Sequence, residues 1–541
     1  MVARRLALTA TIAVALLPVS GAGGAVTQQT PKRGGTLVFG LPSPEPACLN
    51  VLDGRCHNGN SLAGIASAVL ESPYSFGLDL APQPKLVSRV DVRTKRPFTL
   101  TYHIRPKARW SDGVPVSAQD FLFTLRAIRR YVENDTLHDA VRSAKAIDRK
   151  TLRVVLRPRV AGWRELFGFV LPAHALRGVD LARIWSDRID NPKTGSPIGS
   201  GPFLVEGWNR GRELVLRRNP RYWGPHVAHL DRIVVRFTTS PQERAELLRS
   251  GEIDLALGFR EEEFLALRKE PGLRVGSAPA QGFEHFELRL GPGGHTALRN
   301  KLVRRALAYG IDRIALVRQV YGAVAPAHPW LDSAVFLTQS RYYEPSWKEY
   351  RYRPAFARRL LEQAGCRRGD DGFYRCDGER LSLRFMTVGG IGSRQRTLEI
   401  AQRQLREVGV DVQTVYGSVP ALLGPAGALA RGEFDVMLFS WVYQPGDTAQ
   451  LKGIFGCGGP SNFTGYCQRL VTADLDQADR ILDARQRARV LARADRRLAR
   501  DVPMIPLYQF VFVSARSTAV RGYALNTTES LWNAEDWWLD R

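Results

Sequence analysis

The sequence predicts an α/β fold, and three observations support this class. Short runs of β-branched and aromatic residues alternate with amphipathic segments along the chain, as at residues 35–40 and 118–131. The chain has 541 residues, of which 44% are hydrophobic and 24% charged, close to the average of globular proteins. Such a length allows about two to four domains with buried cores.

The predicted elements alternate in order along the chain. Strands are predicted over residues 35–40, 99–104, 152–156, 214–216, 233–237, 253–257, 381–387 and 435–440. Helices are predicted over residues 118–131, 241–249, 300–309, 311–321, 394–408 and 485–500. The first helix has the clearest start, because Ser117 is a suitable N-cap and Asp120 stands where the acidic residue of a capping box belongs.

The amino terminus has the three parts of a secretory signal peptide. Arg4 and Arg5 precede an apolar run over residues 6–17, which Pro18 and small residues up to Ala25 follow. The run is shorter than the roughly 20 apolar residues that span a bilayer. We therefore predict that residues 1–25 are a signal peptide and that the mature protein is exported to the periplasm or the extracellular face of the membrane. A lipid-anchored form is not expected, because the first cysteine is Cys48.

The six cysteines fall into three close pairs. Six thiols allow 15 connectivities, but hundreds of residues separate the pairs, so we predict three local disulfides, each worth about 2–3 kcal/mol. The predicted pairs are Cys48 with Cys56, Cys366 with Cys376, and Cys457 with Cys467. A cysteine-based metal site is not expected, because the sequence lacks C-x-x-C spacing and neighbouring histidine clusters.

The basic charge first directs attention to nucleic acid. Lys and Arg total 77 against 53 Asp and Glu, which gives a net charge of +24 and a pI of about 10.2. The arginines are spread along the chain, however, and the basic helix over residues 485–500 is interleaved or flanked by Asp483, Asp495 and Asp501. A nucleic-acid binder usually concentrates its charge beside stacking aromatics. We therefore interpret the arginines as solvated helix faces and expect no nucleic-acid partner.

Motifs of catalysis and phosphate binding are also missing from the sequence. It contains no H-E-x-x-H, G-x-S-x-G, G-x-x-x-x-G-K-[ST] or G-x-G-x-x-G pattern. No nucleophile or carboxylate pair stands out as a catalytic candidate. We expect no enzymatic activity, no cofactor and no metal, although an extracellular hydrolase stays as the alternative from another class.

Six segments carry a family resemblance. Residues 109–113 (Arg-Trp-Ser-Asp-Gly) belong to the most distinctive of them. The segments span residues 102–121, 199–203 with 219–224, 303–313, 357–365, 434–441 and 503–508. In this order they resemble the family 5 extracytoplasmic solute-binding proteins of ABC importers, which include dipeptide-, oligopeptide- and nickel-binding proteins.

The resemblance implies a periplasmic-binding-protein-like fold of type II, cluster C, with two lobes, a hinge and an inserted extra domain. Lobe I is predicted from residues 31–80, 199–290 and 505–541, the inserted domain II from 81–198, and lobe III from 291–504. Hinges are expected near residues 290–293 and 501–505, where Gly or Pro occur. The resemblance further implies a monomer that closes over a peptide or small-molecule solute and delivers it to an ABC transporter permease.

The resemblance also suggests where the ligand binds. In peptide-binding relatives the segment matching residues 441–447 resembles Trp-x-x-Asp-Tyr-x-Asp-Pro, whose first Asp binds the peptide ammonium. Gln444 stands at that position and cannot neutralise a buried ammonium, whereas Asp447 matches the second acid. A non-peptide solute such as an oligosaccharide, an opine or a metal chelate is therefore the alternative ligand.

Four more residues complete the predicted ligand-binding set. Trp441 and Tyr443 offer apolar area and stacking to a ligand, although either is equally suited to filling the core. Glu45 aligns with a family position that lines the cleft, with an exposed loop acid as the alternative interpretation. Tyr508 follows the last predicted hinge segment and is the best-placed aromatic there.

Overall fold

The structure is a computed structural model that describes residues 30–56, 61–132, 136–157, 160–324, 330–443, 448–526 and 530–541. The predicted signal peptide, residues 1–25, lies outside these ranges, as do the predicted site residues Gln444 and Asp447. The fold is mixed α/β, as the alternating sequence pattern predicts.

Helices and strands are distributed over the whole described chain. The helices are α1 Ser61–Val69, α2 Ala118–Tyr131, α3 Thr136–Asp139, α4 Ala173–Leu176, α5 Pro241–Ser250, α6 Glu261–Leu267, α7 Lys301–Tyr309, α8 Arg313–Tyr321, α9 Pro354–Gln363, α10 Gly392–Val408, α11 Val419–Leu423, α12 Ala428–Arg431, α13 Thr448–Phe455, α14 Arg469–Arg480 and α15 Ala484–Asp501. The strands are β1 Thr36–Leu41, β2 Tyr74–Phe76, β3 Pro82–Pro84, β4 Val87–Arg93, β5 Phe98–Ile104, β6 Val141–Ala146, β7 Thr151–Leu156, β8 Phe203–Asn209, β9 Glu213–Arg218, β10 Arg232–Phe237, β11 Leu255–Leu257, β12 Leu273–Leu288, β13 Arg367–Arg368, β14 Tyr374–Cys376, β15 Glu379–Arg380, β16 Ser382–Val388, β17 Asp411–Gly417, β18 Val436–Val442, β19 Met504–Ser517, β20 Val520–Arg521 and β21 Trp538–Leu539.

Local sequence signals account well for the predicted elements. The carboxylate of Asp120 accepts a hydrogen bond from the backbone N–H of Ser117 at 2.7 Å, which confirms the capping box at the start of α2. Helix α5 ends at Gly251, whose φ of 77° is the left-handed conformation that glycine adopts at helix ends. The predicted strand over residues 253–257 is shorter in the structure, since β11 begins at Leu255.

One ten-stranded sheet runs through the molecule in the order β17-β16-β18-β12-β19-β11-β1-β10-β9-β8. Strand β1 lies parallel to both β10 and β11, and β16 lies parallel to β17 and β18. The central pair, β12 and β19, is antiparallel and joins these two parallel groups. These two long strands therefore connect the two halves of the fold.

Strand β12 changes its surroundings at a bulge. Its pairing with β19 shifts register between Pro279, opposite Val511, and Phe283, opposite Gln509. From Gly282 onward β12 also pairs with β18. On β12 the chain thus crosses between the halves at residues 279–283, earlier in the sequence than the hinge expected near residues 290–293. On β19 it crosses at residues 509–511, later than the hinge expected near 501–505.

Two large cores lie on either side of this crossing. The first core combines side chains of β1, β5, α2 and the C-terminal segment, for example Phe39, Leu100, Phe121 and Trp537. It therefore joins the predicted lobe I to the predicted domain II, whose antiparallel sheet has the order β4-β5-β7-β6. The second core extends from Phe283 to Tyr508 and fills the predicted lobe III.

The three predicted disulfides are present. They join Cys48 to Cys56, Cys366 to Cys376, and Cys457 to Cys467, across sequence separations of 8, 10 and 10 residues. Each bridge closes a local loop.

Glu71 is a buried acid that connects distant segments of the first core. Only 4% of Glu71 is exposed, and its carboxylate accepts a hydrogen bond from the Tyr222 hydroxyl at 2.7 Å. Its backbone N–H donates to the Ser200 hydroxyl at 3.0 Å, and a salt bridge of 2.9 Å between Lys85 and Glu535 lies in the same small cavity. Burial raises the pKa of Glu71 to about 7, against the opposing effect of Lys85.

We expect this shift to make stability depend on pH. Between the ordinary pKa of 4.5 and about 7, the folded protein keeps a proton on Glu71 that the unfolded chain has lost. The free energy of unfolding therefore falls as pH rises through this window, by up to about 3 kcal/mol from this group.

Denaturant unfolding at pH 5 and pH 8 measures the effect. In Glu71→Gln the fall should be smaller than in the wild type, whereas Glu262→Gln, an exposed glutamate, should leave it unchanged. Equal pH dependence in the wild type and Glu71→Gln would contradict the prediction.

Candidate functional site

A cavity of about 380 Å³ lies between the two cores, and we call it the interlobe cavity. Its first wall comes from residues 76–82, which precede the four-stranded sheet in the chain, and from residues 161–165, which follow it. Its second wall comes from the loop 335–342, the end of β18, the start of α13 and helix α15. The lining residues are Phe76, Asp79, Leu80, Ala81, Pro82, Ala161, Gly162, Arg164, Glu165, Val335, Phe336, Leu337, Ser340, Arg341, Tyr342, Tyr443, Thr448, Leu451, Ala484, Arg487, Ala488 and Leu491.

Helix α15 presents one face to this cavity. The residues on that face are Ala484, Arg487, Ala488 and Leu491. Their spacing of three and four positions places them on the same side of a helix. Because two of the four are alanines, the helix leaves open space between its backbone and the opposite wall. The start of α15 is fixed by Asp483, whose carboxylate accepts from the Gln486 N–H at 2.7 Å.

A buried carboxylate on α15 positions the neighbouring loop. Asp495 is fully buried and accepts hydrogen bonds from the Ala334 N–H at 2.9 Å, the Ser333 hydroxyl at 2.8 Å and the Trp347 indole at 3.2 Å. Burial raises the pKa of Asp495 to about 6. Since buried polar groups need hydrogen-bond partners, these bonds hold the loop against α15.

Tyr443 connects the cavity to the bulge in β12. Its hydroxyl donates to the carbonyl of Ala334 at 2.6 Å, and its backbone N–H donates to the carbonyl of Gln281 at 3.3 Å. Its ring packs edge-on against Phe283 with centroids 4.9 Å apart. Burial raises the pKa of Tyr443 well above its ordinary value, so the hydroxyl stays a neutral donor.

Gln509 makes a second connection between the bulge and the cavity wall. Its side-chain oxygen accepts from the Thr338 N–H at 2.7 Å, and its amide NH₂ donates to the carbonyl of Ala280 at 2.7 Å. The same amide donates to the side chain of Gln339 at 2.9 Å. The loop that lines the cavity is therefore attached to the strands that cross between the lobes.

The first wall presents an arginine on an aromatic base. The guanidinium of Arg164 lies 4.3 Å from the ring centroid of Trp163 and 5.9 Å from that of Tyr74. Trp163 is 2% exposed and belongs to the first core. Cation–π contacts of this kind contribute about 0.5–1 kcal/mol at accessible sites, and here they orient the guanidinium at the cavity.

A salt bridge crosses the cavity from one wall to the other. Arg341 lies 2.7 Å from Asp79, with 58% and 43% of the two side chains exposed. The N–H of Ala81 also donates to Asp79 at 3.0 Å. Exposed pairs contribute only about 0.2–1 kcal/mol, so this contact supports closure weakly.

Of the four predicted ligand-binding residues that the structure describes, one lines the cavity. Tyr443 does so, whereas Trp441 is absent from the lining. The Trp441 indole is stacked on Phe463, with centroids 6.1 Å apart and planes 4° apart. Gln444 and Asp447 lie outside the described residues, so their role stays a prediction.

The other two predicted residues have internal partners. Tyr508 is fully buried, and its hydroxyl is hydrogen-bonded to that of Thr397 at 2.9 Å. It belongs to the second core rather than to the cavity surface. Glu45 accepts hydrogen bonds from the Trp208 indole and, at 3.0 Å, from the Gly211 N–H.

Sequence reasoning missed the arginines of the cavity. Arg164, Arg341 and Arg487 come from three distant segments, and none stands in a recognisable motif. For Arg487 a local signal exists, since it recurs with Ala484, Ala488 and Leu491 at helical spacing. Arg487, which is half-buried at the cavity, is therefore an exception to the interpretation of the arginines as solvated helix faces.

Two lobes connected by paired strands, with a cavity between them, define a type II periplasmic-binding-protein-like receptor for a solute. The sequence model described as "Bacterial extracellular solute-binding proteins, family 5 Middle" matches residues 81–462. The chain belongs to this family. Its members are extracytoplasmic and capture solutes for ABC importers.

Individual relatives are similar over most of the chain. The oligopeptide-binding protein OppA of Mycobacterium tuberculosis is 28% identical over 457 residues, 81% of this chain and 74% of the relative. Di/tripeptide-binding protein 2 of Pseudomonas aeruginosa is 26% identical over 413 residues, 73% of this chain and 71% of the relative.

A solved structure shares the fold. The periplasmic EDTA-binding protein EppA matches with a TM-score of 0.80 and 21% identity, covering 95% of this chain and 98% of that chain. Among the described residues, no helix combines the length and apolar character needed to cross a bilayer.

We expect the Asp79–Arg341 pair to have a small effect on solute binding that depends on salt. Arg341→Gln should weaken affinity by no more than about fivefold, the equivalent of about 1 kcal/mol. The effect should shrink as salt is added, because the pair is exposed.

Calorimetry with the solute retained by the purified protein, at low and high salt, measures this. The charge-reversed double variant Asp79→Arg/Arg341→Asp should restore affinity. A loss above about tenfold in Arg341→Gln, or no loss at low salt, would disagree with the assignment.

Proposed function

We propose that this chain is an exported, monomeric and non-enzymatic receptor that encloses a short peptide, or a solute of similar size, and delivers it to an ABC transporter permease. The interlobe cavity is the observation that carries this proposal. Its volume of about 380 Å³ lies at the lower end of the 300–1,000 Å³ typical of small-molecule sites. A cavity of this size favours a small solute.

The walls suit enclosure of a ligand. More than half of the lining residues are apolar, and the polar ones include Arg164, whose guanidinium lies on an aromatic base. A solute that contacts both walls stabilises the closed form over the open one by its differential affinity for the two. The closed form is then the state that a permease recognises as loaded.

The relatives support a peptide as the ligand. OppA and the di/tripeptide-binding protein are named for peptides, and this specificity is the first we propose for the present chain. Gln444 favours the second candidate, a non-peptide solute such as a chelate, opine or oligosaccharide. An amide at that position supplies no negative charge for a peptide ammonium.

The signal-peptide pattern of residues 1–25 supports export. The names of the relatives, which are binding proteins, support a receptor rather than a hydrolase. No cofactor or metal is included in the proposal.

Mass spectrometry of the solute retained after purification tests the ligand class directly. A thermal-shift panel of di- to pentapeptides, oligosaccharides, opines and Fe(III)-EDTA provides the independent measurement. Stabilisation by peptides alone supports the first candidate, and stabilisation by the other compounds alone supports the second. Chemical turnover of any panel member would contradict the non-enzymatic assignment.

Filling the cavity should abolish binding. Ala488 is partly exposed and lines the cavity on α15, so the indole of Ala488→Trp should occupy the space of the solute. We expect affinity for the retained solute to fall more than about tenfold, or 1.4 kcal/mol, while the melting temperature changes little.

The neighbouring Arg489 is exposed on the same helix and provides the matched control. Arg489→Trp should bind as the wild type does in calorimetry. Unchanged affinity in Ala488→Trp would remove the interlobe cavity as the binding site.

A further inference from the structure

Among its described lining residues, the interlobe cavity has more cationic than anionic side chains. Its charged lining residues are Asp79, Arg164, Glu165, Arg341 and Arg487. Asp79 and Arg341 neutralise each other across the cavity at 2.7 Å. The other charged lining residues are Arg164 on the first wall, Arg487 on the second, and Glu165, which has an interaction of its own. Among the described residues, neither of these arginines lies within salt-bridge distance of a carboxylate.

Arg487 is fixed in place by the backbone. One nitrogen of its guanidinium donates to the carbonyls of Ile481 at 2.9 Å and Leu482 at 3.2 Å. Those bonds use part of the donor set of a guanidinium, which has five N–H groups. The group is thus held at the start of α15 with further N–H groups free to serve the cavity.

The nearby acids have other partners. Asp479 accepts a hydrogen bond from the Thr448 hydroxyl at 2.6 Å. Asp483 caps α15 by accepting from the Gln486 N–H at 2.7 Å. These carboxylates attract the charge of Arg487 from a distance, but neither forms a salt bridge with it. The cavity side of Arg487 therefore has no counter-ion among the described residues.

The two arginines influence each other. Burial lowers the pKa of Arg487, and the positive charge of Arg164 lowers it further. The guanidinium of Arg164 lies 4.3 Å from the ring centroid of the buried Trp163, and this cation–π contact favours its position at the cavity. Two like charges held toward one partly enclosed space repel each other, and an anion between them removes the repulsion.

We infer that Arg164 and Arg487, one from each wall, bind a carboxylate group of the solute. This inference rests on the proposed receptor function and specifies the chemistry of its ligand. A guanidinium presents paired N–H donors that match a carboxylate. Because the two arginines belong to opposite walls, a carboxylate bound by both favours the closed arrangement of the lobes. The C-terminus of a short peptide and an acidic group of a non-peptide solute share this chemistry.

Calorimetry with four probes tests the inference. The probes are trialanine, trialanine amide, Fe(III)-EDTA and the neutral sugar maltotriose. The variants are Arg164→Gln, Arg487→Gln and Arg487→Lys, with Arg485→Gln as the control because Arg485 is exposed on the same helix. Melting temperatures establish that each variant is folded, and Arg487→Lys keeps the charge if the glutamine variant does not fold.

We expect at least one carboxylate probe to bind and to lose at least about tenfold in affinity in each glutamine variant. Arg485→Gln should bind as the wild type does, and Arg487→Lys should retain part of the affinity. If trialanine is the probe that binds, its amide should bind to the wild type at least about tenfold more weakly than trialanine does. In the glutamine variants, trialanine and its amide should bind equally weakly.

The probes separate this inference from the choice of ligand. Binding of Fe(III)-EDTA but not of trialanine, with the same dependence on the arginines, supports the carboxylate site while the peptide part of the proposed function fails. Binding of maltotriose alone, or of none of the carboxylate probes, overturns the carboxylate site and leaves the receptor function standing. Equal affinities for trialanine and its amide, or unchanged affinity in both glutamine variants, also overturn it.

Discussion

The antiparallel pairing of β12 with β19 is the constraint on which the rest of the structure depends. These strands span Leu273–Leu288 and Met504–Ser517, and they pair with each other on both sides of the register shift at residues 279–283. Beyond β12 lie the parallel strands of the second half, and beyond β19 lie those of the first. Any relative movement of the lobes must pass through this pair of strands.

A glycine stands in the bulge within this pair. A Cβ atom on Gly282 would lie 2.5 Å from the ring of Phe510, so glycine allows that ring to lie against the strand. The extra residues of β12 at this point turn the carbonyls of Ala280 and Gln281 toward Gln509 and Tyr443, which both bond to the cavity wall. The crossing and the cavity therefore form one connected hydrogen-bonded unit.

The sequence predicts the parts of this arrangement that depend on neighbouring residues. The Ser117–Asp120 cap, the end of α5 at Gly251 and the three disulfides each involve residues close together in the chain. Strand β12 was missed because it contains Gly276, Pro279 and Gly282, which hide the strand pattern.

The candidate site was harder to predict, because it forms by convergence of distant segments. Tyr443 was found through family resemblance, but the burial of Tyr508 depends on its packing against Thr397 of α10, which no local pattern reveals. Arg164 and Arg487 are 323 positions apart in the sequence. Only the fold brings them to one cavity.

The weakness of the direct contacts between the lobes determines how such a receptor must work. The exposed Asp79–Arg341 pair, with 58% and 43% of its side chains accessible, supplies at most about 1 kcal/mol. Moving a two-state equilibrium from mostly open to mostly closed needs about 5.5 kcal/mol of differential affinity. The solute must supply most of that difference. It can do so by contacting Arg164 on one wall and Arg487 on the other, since neither arginine has a counter-ion among the described residues. A net charge of +24 spread over the chain does not discriminate between open and closed forms. Arg164 and Arg487, in contrast, line one cavity from opposite walls. Their like charges oppose this arrangement until an anion lies between them.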